Sequence, residues 1–280
     1  MRNLTSSDIR RLLKTSYFRI ADVFMVGTAL FAFIMHYRDY KLADGSPYFD
    51  SLLTITAPIV FFAVAVFVSL FVGSEYSEGT MRNKIIVGHS RVSVYLSLTL
   101  TAVVGGWILA AVWSAVYLVP SVILMESESS LIMYGMLYLT MFLLLAAVSA
   151  IFTFASILIG NRAVAAVVCL LLAIALMLLG FIIRSWLDEP ETYSPGMIVE
   201  IADESGTMQM GEPKPNPNYM PEGSPARKIC EFLNDFMPGG QSIQIMGSLN
   251  EMAGFCVYDL AWIFAVSTFG ILIFRRKDLK

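Results

Sequence analysis

Few residues in this chain have the type and spacing that bond-making chemistry requires. The two histidines, His36 and His89, lie far apart, and no set of His, Cys and carboxylate side chains has metal-ligand spacing. Neither a Gly-rich phosphate loop nor a nucleophile elbow is present. No catalytic residue, no metal ligand and no cofactor are therefore expected in this chain, which is not read as an enzyme. Two carboxylates, Asp22 and Asp259, sit within apolar runs, where an ionisable group is a functional candidate. They would serve a proton or sodium relay, or else be solvated near span ends or cap a neighbouring helix. The densest polar set falls between Phe71 and Arg91, FVGSEYSEGTMRNKIIVGHSR. Gly73 and Ser74 are expected to break the preceding apolar run. Glu75, Tyr76 and Glu78 then place acids in the first turn of a polar helix, where they suit its dipole. Gly79, Thr80, Arg82, Lys84 and Arg91 follow, with Met81, Ile85 and Ile86 on one face and Gly88 at its end. The chemistry available to such a set is charge pairing and mechanical contact.

The elements that hold these residues are apolar. Hydrophobic residues make up 57% of the 280, charged residues 15%, and the mean hydropathy is +0.69; a soluble domain carries roughly 25% charged residues. Six apolar stretches, near 20–36, 52–72, 98–120, 131–159, 163–183 and 254–274, approach the ~20 residues needed to cross a bilayer. In hydrocarbon each must be a helix, because only a helix satisfies its own backbone amides. The expected fold is all-α: a single polytopic membrane domain, 1–280, of six transmembrane helices. With the N-terminus inside, thirteen of the nineteen Lys and Arg residues fall on the inner side and six on the outer. Both termini are then cytoplasmic, in a cell membrane, and no cleaved signal peptide is expected. The scattered basic residues give no nucleic-acid patch.

Residues 5–19 are expected to form an amphipathic interfacial helix, with Ile9, Leu12, Leu13, Ser16 and Tyr17 opposite Arg10, Arg11 and Lys14. Segment 74–91 joins spans two and three on the inner side. The outer segment 184–253 holds 4 basic and 11 acidic residues. Its middle, GEPKPNPNYMPEGSP, is too rich in Pro and Gly for regular structure. A helix capped by Ser224 follows from Pro225, stopped by Pro238-Gly239, and Gln241–Met252 offers a second, weaker amphipathic stretch. Pro58, Gly105 and Gly106 lie within spans, for close packing or a kink. Cys230 and Cys256 share the outer side, as a disulfide or as isolated residues.

Spacing alone leaves two readings of 74–91 open: a lever gripped by a soluble partner, or a solvated loop obeying the charge rule. The run EYSEGTMRNKIIVGHSR resembles the signature of membrane subunits of type-2 ATP-binding-cassette transporters at Glu75, Tyr76, Gly79, Thr80, Arg82, Lys84, Ser90 and Arg91. The ending IFRRKDLK, Ile273–Lys280, is similar to that family's tail, and the six spans agree. The long acidic outer segment departs from its shortest members. The resemblance implies a cytoplasmic coupling helix that contacts a soluble ATPase through Glu75, Tyr76, Glu78, Gly79, Thr80, Arg82, Lys84 and Arg91. It implies two copies of that ATPase, which bind the ATP and Mg, and a second permease chain, identical or paralogous, in contact with lipid. The expected function is export of a hydrophobic or amphipathic peptide, on the strength of the many Phe and Met residues and the acidic outer face. Sodium or small-drug efflux by the same architecture is the nearest rival, ahead of an ATP-independent channel or a scaffold.

Overall fold

A computed structural model of the chain describes residues 2–42, 54–126, 130–193, 214–247 and 254–277. Ten helices account for nearly all of them: α1 (Arg2–Lys14), α2 (Ser16–Leu42), α3 (Thr56–Ser77), α4 (Thr80–Ile86), α5 (Arg91–Leu124), α6 (Leu131–Ile159), α7 (Arg162–Leu187), α8 (Pro225–Phe236), α9 (Pro238–Gly247) and α10 (Phe255–Arg276). A two-residue antiparallel ladder pairs β1 (Thr192–Tyr193) with β2 (Lys214–Pro215). It sets a small regular element at the start of the Pro-rich stretch expected to be irregular. Helices α2, α3, α5, α6, α7 and α10 are long and apolar enough to cross a membrane. Their outward faces keep Phe24, Phe31, Leu171, Phe181, Phe264 and Phe269 exposed, as a helix facing lipid does. Six helices of the length and composition expected of the spans are thus present, in an all-α bundle.

Helix α3 is the centre of that bundle and packs against α5, α6 and α7. Its Phe61 meets Phe152 of α6 edge-on at 6.0 Å, and its Phe67 meets Phe18 of α2 at 5.6 Å. Between apolar helices in lipid, close approach of small residues supplies much of the packing. Gly105 illustrates this: a Cβ there would come within 2.8 Å of Phe67 and 2.9 Å of Leu12. Pro58 lies in the first turn of α3, where no amide is needed, so it introduces no kink.

Local chemistry sets most helix ends. Ser90, Ser130 and Ser224 accept from Ser93 N, Met133 N and Arg227 N, and Asn161 Oδ1 accepts from Ala163 N and Val164 N. Each such cap contributes about 1 kcal/mol. Gly160 closes α6 in the left-handed region at φ 68°.

Several boundaries depart from the sequence reading. The N-terminal helix breaks at Thr15, whose hydroxyl donates to Leu12 O at 2.6 Å, and α2 begins directly after it, so 16–19 belong to the first span. Leu4, Asp8 and Leu12 form the buried stripe of α1, while Leu13 is exposed and Ile9 only partly covered. Helix α1 therefore lies against α5 through a stripe that includes a charge. Gly73 and Ser74 do not break the second span. A Cβ on Gly73 would come within 2.8 Å of the Arg162 backbone, so this glycine is a contact point, and α3 continues to Ser77. Glu75 thus occupies the last turn of α3, not the first turn of the polar helix. That helix is the seven-residue α4, entered through Gly79 at φ 70°. Pro238-Gly239 starts α9 as well as ending α8. Residues 52–53 of the second expected span and 248–252 of the second amphipathic stretch lie outside the described residues.

Candidate functional site

The N-terminal helix, the α3–α5 connection, the α6–α7 turn and the end of α10 gather at one end of the bundle, here termed the base. The polar residues of α3 and α4 meet α1 and α5 there in one ion network. Lys84 Nζ lies 2.7 Å from Asp8 Oδ1 and 2.8 Å from Glu75 Oε2. Ser97 donates to Asp8 Oδ2 at 2.7 Å, which adds α5 to the set. Thr80 Oγ1 donates to Glu75 Oε2 and to the Glu75 carbonyl, both at 2.8 Å. Arg11 spans the two acids of α3 and its C-cap: NH1 is 2.8 Å from Glu75 Oε1, without the alignment of a hydrogen bond, and NH2 donates to Glu78 Oε2 at 2.8 Å.

Burial decides what each member does. The Glu75 side chain is 0% exposed, Asp8 3% and Lys84 13%, whereas Arg11 is 35% and Glu78 55% exposed. Leaving one charge of a buried set uncompensated costs about 3–5 kcal/mol. Glu75 and Lys84 are thus internal ties that fix α4 beneath α1, α3 and α5. Direct contact of Glu75 with a soluble partner, one of the roles expected of it, is closed off by its burial. Gly79 supplies the left-handed turn that redirects the chain from α3 into α4.

A second set locks the opposite side of the base. Arg91 NH1 donates to the carbonyls of Phe274 at 3.1 Å, Arg275 at 3.4 Å and Lys277. These are groups that the end of α10 leaves open, and a cation there complements the helix dipole. Lys277 Nζ in turn donates to Ile157 O and to Leu158 O in the last turn of α6. It also lies over the Tyr76 ring at 4.8 Å. That ring packs on Gly160, where a Cβ would meet Tyr76 Cε1 at 2.9 Å. Burial lowers the pKa of Lys277. One residue before Glu75, Ser74 is hydrogen-bonded to Tyr17 at 3.1 Å, and Arg162 lies over the Tyr17 ring at 5.2 Å.

What remains accessible is the outer side of α4. Arg82 and Asn83 are exposed and outside the network, and Ile86 and Val87 are 70% and 79% exposed. A shallow groove of about 300 Å³ separates α4 from α1, lined by Leu4, Ser7, Asp8, Asn83, Lys84 and Val87. The eight residues expected to work together are therefore divided. Glu75, Glu78, Thr80 and Lys84 share the network, Tyr76 and Arg91 belong to the tail clamp, Gly79 is the turn, and Arg82 faces outward.

The two intramembrane acids lie apart. Asp22 is on α2, partly covered, with Oδ1 buried and unpartnered. Asp259 is on α10 near the other end, completely buried, with neither oxygen partnered. His36 is buried and hydrogen-bonded to Tyr117 at 2.7 Å. Cys169, Cys230 and Cys256 are all free. No group of three or more His, Cys, Asp and Glu that could hold a metal ion occurs among the described residues.

Asp8, Arg11, Ser97 and Lys277 were not recognisable as members of this site from local spacing. The available signal was Asp8 itself, an acid placed at i+4 between Leu4 and Leu12 on an apolar stripe. Neither a protein-family model nor a curated protein matches this chain.

Proposed function

We propose that this chain is the membrane subunit of an ATP-driven exporter built like the type-2 ATP-binding-cassette permeases. The observation that carries the reading is α4. It is a short helix outside the spans, tied by Lys84, Glu75, Asp8 and Arg11 to α1, α3 and α5, with Arg82, Ile86 and Val87 turned outward. A load on its outer face would pass through buried ion pairs into α1 and α3, and through the Ser97–Asp8 hydrogen bond into α5. A rigid element of this kind suits a two-state bundle biased by association with an energised partner. The partner is a soluble ATPase, two copies per transporter, which binds ATP and Mg; a second permease chain completes the pathway.

The charge asymmetry supports a cytoplasmic base, and with it cytoplasmic termini and an outer position for α8 and α9. The Phe- and Met-rich bundle and the acidic 184–253 segment favour a hydrophobic or amphipathic, cationic peptide as cargo. The buried, unpaired Asp259 favours a second reading, sodium efflux, in which that carboxylate is required for transport.

Two measurements test the proposal. A cysteine at Asn83, in a background without the native cysteines, should react with a membrane-impermeant thiol reagent only after the membrane is opened. The detergent-solubilised chain should co-purify with a soluble ATPase from its own cells. Labelling of intact cells, or purification consistently free of any ATPase, would overturn it.

A further inference from the structure

We infer that α8 is a lipid-binding element: it lies in the membrane boundary away from the base and turns its apolar stripe into the acyl chains of that leaflet. The helix is amphipathic in sequence and inverted in the fold. Ile229, Phe232, Leu233 and Phe236 recur at i, i+3, i+4 and i+7, so they share one stripe. Arg227, Glu231 and Asn234 recur at i, i+4 and i+7 and share another. A helix on a water-facing surface turns its apolar stripe to the core. Here Asn234 is buried, whereas Ile229 is 59% and Phe232 51% exposed.

The polar stripe is the one that faces the protein. Gln244 of α9 donates to Asp235 Oδ1 at 3.0 Å. Arg227, Glu231 and Asn234 share a polar cavity of about 470 Å³ with Arg184 and Asp188 at the C-terminal end of α7. Arg227 pairs with Glu231 at 2.9 Å, and its NH1 donates to Met220 O at 3.0 Å. The hydrogen-bonding capacity of the helix is thus directed inward, and an apolar surface is left outside.

Three observations make lipid the occupant of that surface. The first is continuity. Phe232 meets Tyr258 of α10 edge-on at 6.0 Å, and Phe236 meets Trp262 at 5.2 Å. On the same helix Val257, Leu260 and Phe264 are exposed, so the stripe of α8 adjoins the outward apolar face of a span. The second is depth. Tyr258 and Trp262 lie in the first two turns of α10, and Trp186, in the last turn of α7, is exposed at the same end of the bundle. Tyr and Trp collect where hydrocarbon meets the headgroups, and the contacts of α8 with two of these rings hold it at that level. The third is that both helix ends are satisfied. Ser224 Oγ accepts from Arg227 N, and Trp262 Nε1 donates to Phe236 O at 2.8 Å. A helix with closed ends can enter an apolar medium without stranding backbone groups. The charged residues of α8, Arg227, Lys228, Glu231 and Asp235, cancel, so apolar burial and not headgroup charge holds it there. The inference does not depend on coupling to any ATPase.

The test uses the full-length chain in phosphatidylcholine nanodiscs, with Cys169, Cys230 and Cys256 replaced by alanine and one nitroxide label attached at Ile229→Cys or at Glu231→Cys. Collision with oxygen, which concentrates in hydrocarbon, is compared with collision with a water-soluble nickel chelate. The oxygen-to-nickel ratio at position 229 should exceed that at 231 several times over. Leu233→Cys lies on the same stripe as Ile229, should behave like it, and carries the test if Ile229→Cys does not express. Equal ratios on the two faces, with both open to nickel, would place the stripe in water and overturn the inference. A label on the apolar stripe shielded from oxygen and nickel alike would also overturn it, because a second copy of the chain or another protein would then be the cover.

Discussion

Asp8 and Lys84 are 76 positions apart in sequence, yet their charged atoms are 2.7 Å apart and almost sealed from solvent. Lys84 also reaches Glu75 at 2.8 Å, so one ammonium neutralises acids from two different helices. A short helix of seven residues has little stability of its own. The position of α4 therefore depends on these ties more than on its own hydrogen bonds.

Asp8→Asn should destabilise the chain by about 3–5 kcal/mol, because it leaves Lys84 under-compensated in a buried setting. Lys84→Gln should cost at least as much, because Asp8 then loses its cation and Glu75 one of its two. In the double variant the two effects should fall short of additivity by about 0.5–3 kcal/mol. Melting in detergent or denaturant titration would supply the cycle. Strict additivity would mean that the pair is not energetically coupled.

The glycines at the contact of α9 with α7 make a separate prediction. A Cβ on Gly239 would come within 2.0 Å of Leu176 O, and one on Gly180 within 2.6 Å of Gly240 N. Gly239→Ala or Gly180→Ala therefore has to push α9 off α7, which costs about 1–3 kcal/mol or more. Gly135 is the control, since a Cβ there would meet nothing within 4 Å among the described residues. Gly135→Ala should be neutral or slightly stabilising in its helix. Faster proteolysis near residues 225–247 in the first two variants, but not in the control, would report displacement of α8 and α9. Equal behaviour of all three would contradict the close packing.

These contacts also separate what the sequence made legible from what it did not. The fourth span matched at both ends, because Ser130 caps it and Gly160 closes it, and both signals are local. The helix of the third expected span begins at Arg91, seven residues before its apolar stretch, because Ser90 caps a first turn that carries Arg91 and Ser93. Hydropathy registers only the lipid-facing part of such a helix. Gly73 read as a breaker but lies inside α3, at a point of close approach to Arg162, whereas Pro238-Gly239 does end α8 and Gly239 in addition meets Leu176. In the candidate site, Glu75 and Lys84 stood out by charge, whereas their partners Asp8 and Arg11 are more than sixty positions away. No spacing rule links residues so far apart, and α1 itself read as a surface helix.

The tail clamp is open to a direct test. Hydrogen bonds from a charged donor contribute about 1.5–3 kcal/mol each when well formed. Arg91 NH1 shares its two N–H groups among three carbonyls at the end of α10, and Lys277 fastens the same segment to α6. Arg91→Ala should release residues 275–277 while the spans stay intact. Limited trypsin digestion should then remove the tail several times faster, with helical content by circular dichroism unchanged. A tail that stays protected in Arg91→Ala would show that Lys277 alone holds it.

The last prediction separates structural ties from the contact surface, and it turns on burial. Arg82 is exposed and outside the network, and Val87 is 79% exposed, so Arg82→Glu and Val87→Asp should each change stability by no more than about 0.5 kcal/mol. Glu75→Gln, at a fully buried position paired with both Arg11 and Lys84, should lower stability strongly. If α4 receives work from a partner ATPase, the surface variants should reduce transport and permease-stimulated ATP hydrolysis at least tenfold while melting like the wild type. Loss of activity in Glu75→Gln would be accompanied by loss of folded protein and would therefore carry no information about coupling. Normal transport in both surface variants would remove α4 as the point of contact, whatever the fate of Glu75.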